Sequence, residues 1–64
     1  MPTLDTAIHY AKQAAKRTGK EQFVFHGYGD EEEYFFGRED SLRDHPRIVG
    51  TVSATEVPIF TRVH

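Results

Sequence analysis

The chain predicts an α+β fold, with an N-terminal helix packed on a three- or four-stranded antiparallel sheet. Three observations carry that expectation. The first eighteen residues repeat apolar side chains at helical spacing. Two aromatic runs follow, separated by a glycine-rich turn. A third β-branched run begins after Pro46.

The helix is expected over residues 4–18. Thr3 can cap it and Asp5 sits favourably in its first turn. Leu4, Ala7, Ile8, Ala11, Ala14 and Ala15 recur at spacings of three and four, which lines one face. Lys12, Lys16, Arg17 and Lys20 gather toward the far end, where the helix dipole favours positive charge, and Gly19 suits the C-terminal cap. The small alanine face lets the helix lie close to a sheet that supplies the bulk.

Residues 22–27 form the first expected strand, with Phe23 and Phe25 on one side and Val24 and His26 on the other. Gly27, Gly29 and Asp30 mark a turn, and residues 32–37 return as the second strand of a hairpin. Tyr34 and Phe36 then share one side, with Phe35 on the other. Asp40 or Ser41 starts a short helical turn ended by Pro46, because the residue before a proline avoids helical dihedrals. Residues 47–53 form a third strand. The tail, 54–64, carries Val57, Ile59 and Phe60 as an edge strand or a docked extension, and Pro58 argues against a central position. On this arrangement the second sheet face carries Val24, Phe35 and Val49 beside His26 and Thr51. So apolar a face calls for cover by the tail or by a second protein, and a homodimer is one way to supply it.

Sixty-four residues make one domain with a thin core. Small scaffolds often compensate with disulfides, and the absence of cysteine excludes both these and a thiolate zinc site. Cysteine-free composition suits a reducing cytoplasm. No apolar run is long enough to span a bilayer, and residues 1–10 lack the basic start and apolar core of a secretory signal. Met1 placed just ahead of a helix start fits a complete short chain. Five Phe and three Tyr argue for folding over disorder.

The net charge of −2 conceals an asymmetry. Residues 30–44 hold Asp30, Glu31, Glu32, Glu33, Glu39, Asp40 and Asp44 against only Arg38 and Arg43. Adjacent carboxylates lie closer than the screening length of ~8 Å at physiological salt, so they act as a patch. Such a patch steers basic partners and can occupy a groove built for a phosphate backbone. Tyr28 and Phe35 stand beside the acids as aromatic anchors, a combination common at protein interfaces. The expected partner-binding residues are therefore these seven acids with Tyr28 and Phe35. The plain alternative is a solvated loop whose acids discourage edge-to-edge aggregation.

Catalysis is not expected. Ser41 and Ser53 lack a nucleophile-elbow context. A working carboxylate pair needs one member buried, and a hairpin tip is wet. His9, His26, His45 and His64 show no metal-ligand spacing, although His26 can meet Glu33 or Tyr34 across the hairpin. The segment Gly27–Tyr28–Gly29 has no lysine and acidic neighbours, unlike a phosphate loop. No cofactor is implied. Lys12, Lys16, Arg17 and Lys20 share one helix end, but a pI near 6.0 opposes direct nucleic-acid binding.

A short, cysteine-free, acidic chain with helix-then-strand order and the segment Gly29–Asp30–Glu31–Glu32–Glu33–Tyr34 resembles the small phage-encoded anti-CRISPR proteins. The resemblance rests on size, acidity and element order, with no shared motif. It implies an inhibitor in the cytoplasm of a bacterial host, docked by its acids on the nucleic-acid-binding surface of a CRISPR effector and excluding target DNA.

Overall fold

The computed structural model describes residues 3–27 and 33–63. Helix α1 (Leu4–Thr18) is followed by strand β1 (Gln22–His26) and strand β2 (Tyr34–Gly37). A 3₁₀ turn (Asp40–Asp44), strand β3 (Ile48–Val52) and strand β4 (Phe60–Arg62) complete the chain. The four strands form one antiparallel sheet in the order β2-β1-β3-β4. This is the α+β architecture expected, with the tail supplying the fourth strand at an edge.

Helix α1 begins and ends for local reasons. The Thr3 side chain accepts a hydrogen bond from the Thr6 N–H at 3.2 Å, satisfying one of the donors that the first turn leaves orphaned. Gly19 takes a left-handed conformation at φ 70° and returns its N–H to the Ala15 carbonyl at 2.9 Å. Between these caps Ala7, Ala11, Ala14 and Ala15 are buried. The small side chains of Ala7, Ala11 and Ala15 bring the helix down onto Val24 and Val52, with Leu4, Tyr34 and Phe60 packed around that centre.

Strand register assigns the faces. Val24 pairs with Phe36 and Gly50, while Phe25 pairs with Phe35. Alternation then puts Gln22, Val24, His26, Tyr34, Phe36, Val52 and Phe60 on the helix side. Phe23, Phe25, Phe35, Val49 and Thr51 occupy the other. The expected apolar second face of Val24, Phe35 and Val49 is therefore corrected. Val24 and His26 lie under the helix side, and only Phe35, Val49 and Thr51 belong to the far face. Alternation separates Val24 from Phe23, but it leaves open which of the two sets the helix covers.

Neither the tail nor a second protein is needed to cover the far face around Phe23. The 3₁₀ turn does so. The Leu42 side chain lies so near Gly37 that a Cβ there would meet it at 2.6 Å. The Arg43 guanidinium sits 5.4 Å from the centroid of the Phe23 ring. Arg43 also pairs with Glu21 at 3.2 Å. The ring of His45, just past the turn, stands 4.9 Å from Phe25. Phe23 and Val24 are consequently both fully buried, one under each cover.

Two irregularities fit the sheet together. A bulge shifts the β1–β3 register between Val24 and Phe25, so that Gly50 and then Ile48 are the successive partners and Val49 is the extra residue. Gly50 meanwhile leaves room for Phe60: a Cβ at that position would lie 2.6 Å from its ring and 2.5 Å from the Thr61 carbonyl oxygen. Beyond β3, the Ser53 side chain accepts the Ile59 N–H at 2.9 Å. The Thr55 hydroxyl donates to the Val57 carbonyl at 2.7 Å. Together these bonds turn the tail back as β4.

Candidate protein-binding surface

Of the expected partner-binding residues, Tyr28, Asp30, Glu31 and Glu32 lie outside the described residues. Glu33, Phe35, Glu39, Asp40 and Asp44 are described, and the sheet spaces them apart. Glu33 immediately precedes β2, and its carbonyl accepts the Gly27 N–H at 2.8 Å. Glu39 and Asp40 follow the same strand at its other end. Five residues of near-extended chain lie between Glu33 and Glu39, which sets the two roughly 20 Å apart, well beyond a screening length of ~8 Å. Among the described residues, Glu33 thus stands at one end of β2, with Glu39 and Asp40 at the other.

The two ends have different company. Phe23 pairs with Gly37, so the end of β2 that leads to Glu39 is the end where α1 runs into β1. That end also carries exposed Lys16, Arg17 and Lys20. The hairpin end lies away from those lysines. Arg47 reaches it, its guanidinium donating to the Gly27 carbonyl at 3.2 Å. The same Nη1 lies 3.3 Å from His26 Nδ1, which must accept because a guanidinium only donates. Glu39, Asp40 and Asp44 are exposed and Glu33 is half-buried. Among the described residues, none of these four takes part in an ion pair.

Between the two ends runs an apolar strip, of which sequence alone singled out only Phe35. Tyr10, Phe35 and Phe36 are 52%, 42% and 38% exposed. On the helix side a groove of ≈ 210 Å³ opens between α1 and β2, lined by Thr6, Ala7, Tyr10, Tyr34, Phe35 and Phe36. Its signal was present in part. Tyr10 falls outside the alanine face of α1, and Phe36 is an aromatic residue on the strand that needs no partner beyond β1. What the sequence lacked was the strand order, which makes β2 an edge.

Of the residues weighed for catalysis and metal binding, Ser53, His9, His26 and His45 make structural contacts, and His64 lies outside the described residues. Ser53 shapes the loop into β4, as described above. His26 packs against Tyr34 with ring centroids 4.9 Å apart, one of the two cross-hairpin partners expected for it. His45 Nδ1 accepts the Arg47 backbone N–H at 3.1 Å, and His9 contacts Gln13 one helical turn on at 3.2 Å. Among the described residues no three His, Asp or Glu side chains gather to hold a metal ion. No described helix is long and apolar enough to cross a membrane.

Fold and surface together define a class: among the described residues, a small one-helix, four-stranded α+β domain with an apolar sheet edge that has Glu33 at one end and Glu39 and Asp40 at the other. No protein-family model, curated protein or solved structure matches the chain.

Proposed function

We propose that this is a non-enzymatic binding protein, an inhibitor that presents its acids to the basic surface of a nucleic-acid-binding protein. The observation that supports the reading is that Glu39, Asp40 and Asp44 are exposed and Glu33 half-buried, none of them in an ion pair among the described residues, with exposed Phe35 on the strand between Glu33 and Glu39. Unpaired surface carboxylates keep their full charge available to a partner, and clustered charge accelerates encounter with an oppositely charged groove. An effector complex of a bacterial CRISPR system is the partner that the sequence resemblance implies, with inhibition acting by exclusion of target DNA.

Two charge-reversed variants test this reading and separate the acidic groups. In one, Glu31, Glu32 and Glu33 become Lys; in the other, Glu39, Asp40 and Asp44 do. The measurement is DNA binding by a purified CRISPR effector complex titrated with each protein. The hairpin variant is expected to lose at least about tenfold in inhibitory potency with an unchanged thermal melt. Wild-type potency is expected to fall as salt rises. Full potency in both variants would remove the acidic surface from the account.

A further inference from the structure

We infer that the free edge of β2 is a docking strand, and that its ligand is a basic, extended segment of a partner protein, added as a fifth strand of the sheet. The inference rests on the binding reading above and names the element that makes the contact.

Backbone geometry comes first. The Gly27 N–H bonds to the Glu33 carbonyl, so the backbone polar groups of Glu33 point toward β1. In an antiparallel strand these groups alternate sides, so those of Phe35 and Gly37 point inward too. The N–H and C=O groups of Tyr34 and Phe36 then point outward, along an edge where, among the described residues, β2 has no strand neighbour but β1. Two donors and two acceptors stand ready for an added strand.

The side chains beside that edge say what the strand carries. An incoming segment alternates its side chains between the two faces. One set enters the apolar groove beside Tyr10 and Phe36, and the other meets Phe35 on the far face. Both sets can therefore be apolar, which is uncommon for a solvent-facing edge.

Charge decides the occupant. The stretch from Glu33 to Asp40 holds three acids and one arginine, placed at the two ends of the strand. A segment with Lys or Arg on either side of its apolar centre complements that arrangement. A second copy of this chain does not. Two-fold pairing centred on Phe36 sets Glu33 against Glu39 of the other copy. Pairing centred on Phe35 brings together two segments that each carry seven acids against two arginines. The opposite edge suits such a ligand poorly, because β4 has only three residues, follows Pro58 closely and carries Arg62.

The test uses the whole chain and a synthetic probe, the peptide Arg-Lys-Val-Thr-Val-Thr-Lys-Arg with blocked termini. Its control replaces every Lys and Arg by Glu. Backbone amide exchange and titration by NMR are the readouts. Binding of the basic peptide is expected to slow exchange of the Tyr34 and Phe36 amides. The acidic control is expected to bind at least about tenfold more weakly. Phe36→Pro removes an outward N–H that the sheet does not use, and is expected to cut binding at least about tenfold while β1–β3 pairing persists. Tyr10→Lys, at an exposed helix position, is expected to weaken it as well should the proline variant fold poorly. Val57→Lys, beside the other edge, is expected to change nothing.

Several results overturn the inference: no binding at about 1 mM peptide, equal binding of the acidic control, protection at Phe60–Arg62, or binding that survives both Phe36→Pro and Tyr10→Lys. A dimer in sedimentation that Phe36→Pro dissociates overturns it too, since the occupant is then a second copy. Inhibition assays keep the two proposals apart. If charge reversal at 31–33 abolishes inhibition and Phe36→Pro leaves it intact, the acidic reading stands and the docking strand falls. If both charge-reversed variants keep full potency while Phe36→Pro blocks peptide addition, the acidic reading falls alone.

Discussion

On one face of the sheet, Ala7, Ala11 and Ala15 lower a fifteen-residue helix onto Val24 and Val52. On the other, a five-residue 3₁₀ turn lays Leu42 and Arg43 over the Phe23 end of the same central strand. The first cover works by small side chains that allow close approach. The second works by large ones reaching down from a distance. Both succeed over β1, where Phe23 and Val24 are fully buried. Both cover β2 only in part: they reach Tyr34 and Gly37, while Phe36 on the helix side and Phe35 on the turn side remain partly exposed. The apolar edge is where two covers end, and neither face alone would reveal it.

Substitutions can break this comparison in order of cost. The largest effect is expected from Phe23→Ala, which empties a fully buried site that only the short turn protects. A loss of about 3–5 kcal/mol approaches the whole stability of a small domain, so urea denaturation should find the variant largely unfolded at 25 °C. Ala11→Leu attacks the other face, where no space remains between helix and strands. Overpacking there is expected to cost about 1–3 kcal/mol, with a lowered midpoint of thermal unfolding. A cost near zero would mean that the helix rides higher over Val24 than described.

Gly50→Ala sharpens the contrast by acting through β4 in place of either cover. The added Cβ meets the Phe60 ring and the Thr61 carbonyl, so a similar cost of about 1–3 kcal/mol is expected. Amide exchange should accelerate most at Phe60–Arg62 and least in α1. The smallest effect is expected from Arg43→Ala. It removes the guanidinium from Phe23 and the pair with Glu21, two exposed interactions worth up to about 1 kcal/mol together. Added salt should shrink the difference between this variant and wild type, since the ion-pair part is screened.

Much of the fold was legible because its signals are local. Thr3, the alanine spacing and Gly19 specify α1 through contacts within a few residues. Glycines after His26 specify the hairpin, and Pro46 closes the 3₁₀ turn. The pairing of His26 with Tyr34 likewise follows from hairpin register. The two faces were not legible, because alternation fixes only that Val24 and Phe23 point apart. The helix could have covered either set. The candidate surface divides the same way. The acidic composition of residues 30–44 is plain in the sequence, but its apparent unity came from counting along the chain. An intervening strand holds Glu33 away from Glu39 and Asp40.

By itself the sequence determined the one-domain α+β class, the helix with both its caps, the existence of three strands and the concentration of acid in one third of the chain. Each depends on propensity, capping or charge, which act between neighbours in the chain. Only the tertiary structure decided that the helix takes the Val24 face, that the 3₁₀ turn covers Phe23, and that β2 is an edge flanked by acid at both ends. Those outcomes depend on strand order and on which apolar surfaces meet, and burial is a property of the assembled layers, not of any segment within them.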